Sequence, residues 1–196
     1  MTKKQRRSFL RNLKKGQVDV NKHEHLEQAH KVIQLIQDYT VPTVSNPLKA
    51  LTKAQSAYIK SIKNNLITFG CGPAGTGKTF VCGMMAADAL ANSETEKIII
   101  TRPVQEAGEH LGFLPGELED KFAPYFRPFK DVLEERLGRG HVQGLTKAGR
   151  IEASPLAYMR GRSFKNCWII LDEAQNCTTT QMKLFLTRIG ENCTVV

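Results

Sequence analysis

The stretch Gly72-Pro73-Ala74-Gly75-Thr76-Gly77-Lys78-Thr79 decides the fold. It matches the pattern G-x-x-x-x-G-K-[ST] without deviation. The apolar run at 65–70 leads in and reads as a strand. The Ala- and Met-rich run at 78–92 leads out and reads as a helix. Glycines between strand and helix let the backbone wrap closely around an anion, with consecutive N–H groups and the helix N-terminus facing its oxygens. In such a loop Gly72 to Gly77 cradle phosphates, Lys78 reaches the β- and γ-phosphates, and the Thr79 hydroxyl is a ligand for Mg²⁺. Residues Gly72, Pro73, Ala74, Gly75, Thr76, Gly77, Lys78 and Thr79 are therefore the candidate nucleotide-binding set. A chance glycine-rich turn before a helix is the competing reading. The strand–loop–helix context argues against it.

A second motif strengthens the first. Trp168-Ile169-Ile170-Leu171-Asp172-Glu173 is an apolar strand ending in two carboxylates, the Walker B arrangement. Asp172 is the candidate holder of the Mg²⁺ shell, and Glu173 the candidate general base that orients and deprotonates water. An Asp-Glu pair at a strand end is weak evidence by itself, since such pairs are common there; a structural cap for the following helix is the alternative for Glu173. Paired with the phosphate loop it favours hydrolysis over binding alone, because phosphoryl transfer to water needs a positioned base.

Around these motifs, continuous apolar strands alternate with helices. Strands are expected at 97–101, 168–171 and from Cys193, and a helix at 178–189 with its apolar face at Met182, Phe185, Leu186 and Ile189. That alternation predicts an α/β fold with a parallel sheet covered on both faces. Upstream, helical spacing appears over 22–39. The Pro-bearing stretch 40–47 reads as a linker. A helix through about Lys63 follows Thr52, its candidate N-cap, with Gln55 at the capping-box position. The segment 103–155 is long, mixed and rich in Gly and Pro, with aromatics at Phe113, Phe122, Tyr125, Phe126 and Phe129. It reads as an insertion with helices, including one over 129–137.

Composition sets outer limits. The 196 residues carry 28 Lys+Arg against 19 Asp+Glu, a formal charge of +9, and are 41% hydrophobic, which suits one domain with a real core. Seven of the basic residues lie in the first fifteen positions, with no acid among them, leaving 21 basic against 19 acidic elsewhere. No apolar run approaches a membrane span, and Arg11, Lys14 and Lys15 interrupt any secretory apolar core. Five cysteines without a C-x-x-C pair argue against a disulfide framework or zinc site and for a reducing cytoplasm. His23, His25 and His30 sit among lysines and read as a surface helix. The basic arm either tracks a phosphate backbone or is a solubilising tail.

Taken together, the motifs closely resemble the PhoH-like family of P-loop ATPases. The resemblance runs from about Asn46 to Val196. It rests on GPAGTGKT at 72–79, TRP at 101–103 with EAGE at 106–109, LGFLPG at 111–116, PYFRP at 124–128, PLAYMRGR at 155–162, ILDEAQN at 170–176 and QMKLFLTRIG at 181–190. It implies a RecA-like core similar to superfamily 1 helicases, with residues 1–45 as a basic and helical N-terminal extension and 46–196 as the ATPase domain. The cofactors implied are ATP and Mg²⁺, the partner single-stranded RNA, without membrane association. A homo-oligomeric ring in which a neighbour's arginine completes the site is a further expectation.

By the same resemblance, Gln55 falls where a helicase glutamine reads adenine, with helix capping as the alternative. Gln175 falls where the γ-phosphate is coupled to the nucleic-acid site, with a plain helix-start residue as the alternative. Arg102 either contacts RNA phosphate or structures its loop. Arg160 and Arg162 are phosphate contacts or a solvated pair. Tyr125, Phe126 and Phe129 stack on bases or, in the favoured reading, fill a core. The family continues past Cys193 with a Gly-Asp…Gln sensor and further sheet, so a C-terminally incomplete domain is expected. The leading function is an RNA-coupled ATPase. The alternatives are a nucleotide-gated RNA-binding module with little or no turnover, and a nucleotide kinase, against which the Asp-Glu-Ala-Gln strand end argues.

Overall fold

Alternation along two strands shows how a continuous apolar run is used. In β1 (Lys97–Arg102) Ile98 and Ile100 belong to one buried cluster and Ile99 to another. In β3 (Cys167–Leu171) Trp168 and Ile170 join the first cluster, while Cys167, Ile169 and Leu171 join the second. Successive side chains leave a strand on opposite faces, so the sheet is covered on both sides, as the sequence pattern predicts. The structure, a computed structural model, describes residues 47–103 and 118–196, and of 118–123 the backbone alone. The basic arm, the helix expected over 22–39, the histidines, Phe113 and the EAGE and LGFLPG motifs lie outside the described residues.

The sheet is parallel throughout. With β2 (Ile151–Pro155) and β4 (Thr194–Val195), its order is β2-β1-β3-β4. Ile98 pairs with both Ile151 and Trp168, and Trp168 with Thr194. The first core packs under α1 (Lys53–Asn64), α2 (Lys78–Ala91), α3 (Leu118–Leu137) and α4 (Arg139–Lys147). The second lies under the 3₁₀ turn 156–159 and α5 (Thr179–Leu186).

Thr52 is the cap that the sequence suggests, but Gln55 accepts from Leu51 N and not from Thr52 N, so the box is not closed there. The Thr52 hydroxyl accepts from the Gln55 amide. Thr178 and Gln181 form a complete capping box at α5. Helix α5 ends earlier than the expected 178–189, and Leu186 is 41% exposed while Phe185 is buried.

Three further elements differ from expectation. The strand expected at 65–70 contributes a single parallel bridge, Ile67 to Val195, held by Thr68 N donating to Val195 O and Val195 N to Leu66 O. The end of the mixed segment 103–155 is strand β2. Its sequence Ile-Glu-Ala-Ser-Pro lacks an apolar run because, among the described residues, it pairs on one side only, and an edge strand tolerates proline. Helix α3 begins eleven residues before the expected Phe129 and runs through Pro124 and Pro128. Each proline removes a helical donor. The buried stripe Phe129, Leu133 and Leu137, at helical spacing, offsets that cost against the core.

Helix α3 is locked to α2 at close range. A Cβ on Gly83 would stand 2.9 Å from Val132 Cγ1, so glycine sets the helix separation. Arg136 Nε and Nη2 donate to both Asp88 oxygens at 2.6 and 2.8 Å, a bidentate pair across the same contact. The phosphate-loop helix therefore has a firm back wall.

Candidate nucleotide site

Parallel strands deliver their carboxyl ends to one edge of the sheet, where open α/β folds bind ligands. The loop 72–79 leaves that edge beside β4, and Asp172 leaves it from β3, one strand further on. Gly77 caps α2 with φ +85°, a left-handed conformation that suits glycine, and a Cβ there would meet Gln55 Nε2 at 3.0 Å. It supplies no capping side chain, and the first turn of α2 carries no acid. The helix thus begins with its amide donors and positive dipole end uncompensated by its own side chains, which suits an anion. Lys78 Nζ donates to the Gly72 and Pro73 carbonyls, each at 2.8 Å, and Thr76 Oγ1 to Pro73 O at 2.9 Å. These bonds curl the loop and place the ammonium across its mouth.

Opposite, the Asp172 amide donates to Thr101 O at 2.9 Å, which fixes the turn after β3 to β1. Glu173 sits at φ 52°, ψ 41°, an uncommon conformation for a residue with a Cβ. Gln175 Nε2 donates to Glu173 Oε2. The loop, Asp172, Glu173 and Gln175 line one cleft of about 1060 Å³, walled by Tyr58 and by Phe129 and Val132 of α3. That volume is at the upper end of small-molecule sites.

Electrostatics concentrate on Asp172. Burial pushes its carboxyl up, and the neighbouring Glu173 charge adds to this; Arg102 and Lys78 pull it back. Burial, with Asp172 nearby, pushes the Cys82 thiol up to about 12, so it stays protonated beneath the loop. Tyr58 is raised as well, by burial first and then by Cys82. Thr79 and Asp172 are hard oxygen donors. A magnesium ion is held through one or two such protein ligands, with phosphate and water completing its octahedron, so the donor set fits.

Among the sequence-predicted residues, Gly72, Pro73, Ala74, Gly75, Thr76, Gly77, Lys78, Thr79, Asp172, Glu173 and Gln175 do not all touch, but the cleft lining brings together nearly all of them. Gln55 is outside that lining. Its Nε2 donates to Thr76 O at 3.2 Å and its Oε1 accepts from Leu51 N at 2.8 Å, so it caps α1 and braces the loop from behind. Arg162 makes a two-pronged ion pair with Glu152 and lies over the Phe164 ring, while Arg160 is exposed. Phe129 is core, and Phe126 packs against it. Tyr125 is 38% exposed and lies under the Arg102 guanidinium, 5.0 Å from ring centroid to Cζ. Arg102 Nη1 also stands 3.8 Å from Asp172 Oδ2. Sequence reasoning raised Arg102 but not this pairing, for which no local signal exists.

The fold and the loop define a nucleotide-binding α/β protein of the P-loop ATPase type. The chain belongs to the PhoH-like protein family, whose profile matches residues 47–196. It is 51% identical over 154 residues to Protein PhoH of Escherichia coli (strain K12), covering 78% of this chain and 44% of that protein. To the PhoH-like protein of Bacillus subtilis (strain 168) it is 46% identical over 170 residues, 87% of this chain and 52% of that one. To the PhoH-like protein of a Synechocystis strain it is 50% identical over 143 residues, 73% and 44%. The chain thus spans about half the length of these relatives. No helix among the described residues is long and apolar enough to cross a membrane.

Proposed function

We propose that the protein binds ATP with Mg²⁺ and hydrolyses it, in response to single-stranded RNA. The observation that carries this reading is the convergence of Lys78 and Thr79 with Asp172 and Glu173 on one cleft. In this reading the loop amides and Lys78 bind the phosphates, and Thr79 and Asp172 hold the metal, which neutralises charge on the transferred group. Glu173, kept in place by Gln175, takes the proton of the attacking water. Tyr158 and Arg160, both exposed just after β2 at the ligand-facing edge, support an RNA path there. The free cysteines suit the cytoplasm. A homo-oligomeric ring supplying an arginine in trans belongs to the same proposal.

The test is phosphate release by this chain and by a longer family member, with and without single-stranded RNA. Stimulation by RNA supports the motor reading. Nucleotide binding without turnover in either chain supports the gated binding module instead.

A further inference from the structure

Arg102 ends β1 directly beside the start of the Walker B turn. Thr101 pairs with Leu171 across the sheet, and the Asp172 amide closes on Thr101 O. The guanidinium therefore reaches Asp172 from the side opposite the phosphate loop, since β1 and β4 flank β3 on its two sides. At 3.8 Å it is a loose ion pair, longer than a charge-assisted hydrogen bond. The same guanidinium lies over the Tyr125 ring of α3, at a distance where cation and ring face attract. Both members of the ion pair are largely but not wholly covered, at 31% and 26% exposure, so solvent screens the pair only in part.

We propose that Arg102 is an internal counter-ion that competes with the divalent metal for Asp172, and that its guanidinium, already over the Tyr125 ring, settles closer onto that ring once the metal takes Asp172. This rests on the nucleotide reading of the cleft. Arg102 is a positioning residue here, since it acts through Asp172 and α3. A carboxylate that is partly desolvated and next to Glu173 needs a cation, and Arg102 supplies one that is fixed and monovalent. A divalent ion is the stronger partner. A closer contact with the ring offsets the lost ion pair and ties the metal state to helix α3.

The experiment uses the full chain, a saturating non-hydrolysable ATP analogue and Mn²⁺ in place of Mg²⁺, with bound Mn²⁺ read by electron paramagnetic resonance. Arg102→Ala should tighten Mn²⁺ binding about fivefold, on the scale of losing one partly screened ion pair. Arg102→Lys keeps the charge and should stay within about twofold of the unmodified protein. Tyr125→Ala removes the ring and should weaken Mn²⁺ binding, but have no effect once Arg102 is already alanine. Unchanged or weaker Mn²⁺ affinity in Arg102→Ala overturns the competition. An equal effect of Tyr125→Ala in both backgrounds overturns the role of the ring. Failure of the unmodified chain to bind the analogue and Mn²⁺ overturns the nucleotide reading along with this one.

Discussion

The side chain of Gln55 donates to the Thr76 carbonyl at 3.2 Å, so the first turn of α1 grips the phosphate loop directly. The other end of the same amide accepts from the Leu51 amide. Gln55→Ala should therefore cost about 1 kcal/mol of stability, the usual scale for a lost cap or hydrogen bond. It should also weaken nucleotide binding several-fold by releasing the loop. Thermal melting and titration with ATP and GTP check both. Equal weakening for the two bases fits a brace, whereas selective loss of ATP fits an adenine contact.

Lys78→Ala should abolish nucleotide binding, because it removes the cation across the loop mouth. Glu173→Gln should bind nucleotide normally and release no phosphate. Persistent steady-state phosphate release by that variant would remove Glu173 from the base role.

Glu173 also carries backbone strain, with φ at 52°. Glu173→Gly and Glu173→Ala both lose the carboxylate, but only glycine adopts this conformation freely. The glycine variant should be the more stable by about 1 kcal/mol in urea unfolding. Equal midpoints would mean that the turn relaxes without cost.

Gly83→Ala drives a methyl against Val132 Cγ1, and overpacking of this kind costs about 1–3 kcal/mol. Adding Val132→Ala should recover much of the loss by making room. Denaturation of the single and double variants decides this.

Glu152 is held down to about 2, chiefly by hydrogen bonds from Arg162 and further by Lys97, against the opposing effect of burial. Its unfolded value is about 4.3. Because the folded value is the lower one, this stabilisation is complete above the unfolded value and is lost as pH falls toward about 2. Glu152→Gln should therefore cost stability at pH 6 and progressively less as pH falls from about 4 to 2. Urea midpoints across that range test the sign.

Much of this fold was legible because its signals are local. The loop 72–79, the Thr52 cap and the runs of β1 and β3 are each contained in a few residues. The helical spacing of Phe129, Leu133 and Leu137 marks the core face of α3, but Tyr125, one step earlier on the same row and favoured as core, is partly exposed. What stayed hidden depends on pairing across the sheet. Arg160 and Arg162 look alike in sequence, yet only Arg162 meets Glu152, itself carried on a strand with no apolar run. The approach of Arg102 to Asp172 follows from the register of β1 and β3. In the candidate site, residue types pointed to the loop, Asp172 and Glu173 as candidates, and the fold brings them to one cleft. The neighbours that tune them came only from the fold.

Within the sheet, among the described residues, β4 is the strand that joins the loop-bearing segment to the Walker B strand. The contact between Ile67 and Val195 is also far apart along the chain, and such contacts form late because a long loop must close first. During synthesis the phosphate loop therefore emerges well before the partner that fixes its spacing from Asp172. Acquisition of nucleotide affinity would serve as a clock for the docking of β4, and the nascent chain would pass through a stage in which the loop and Asp172 have both emerged but the strand between them is not yet in place.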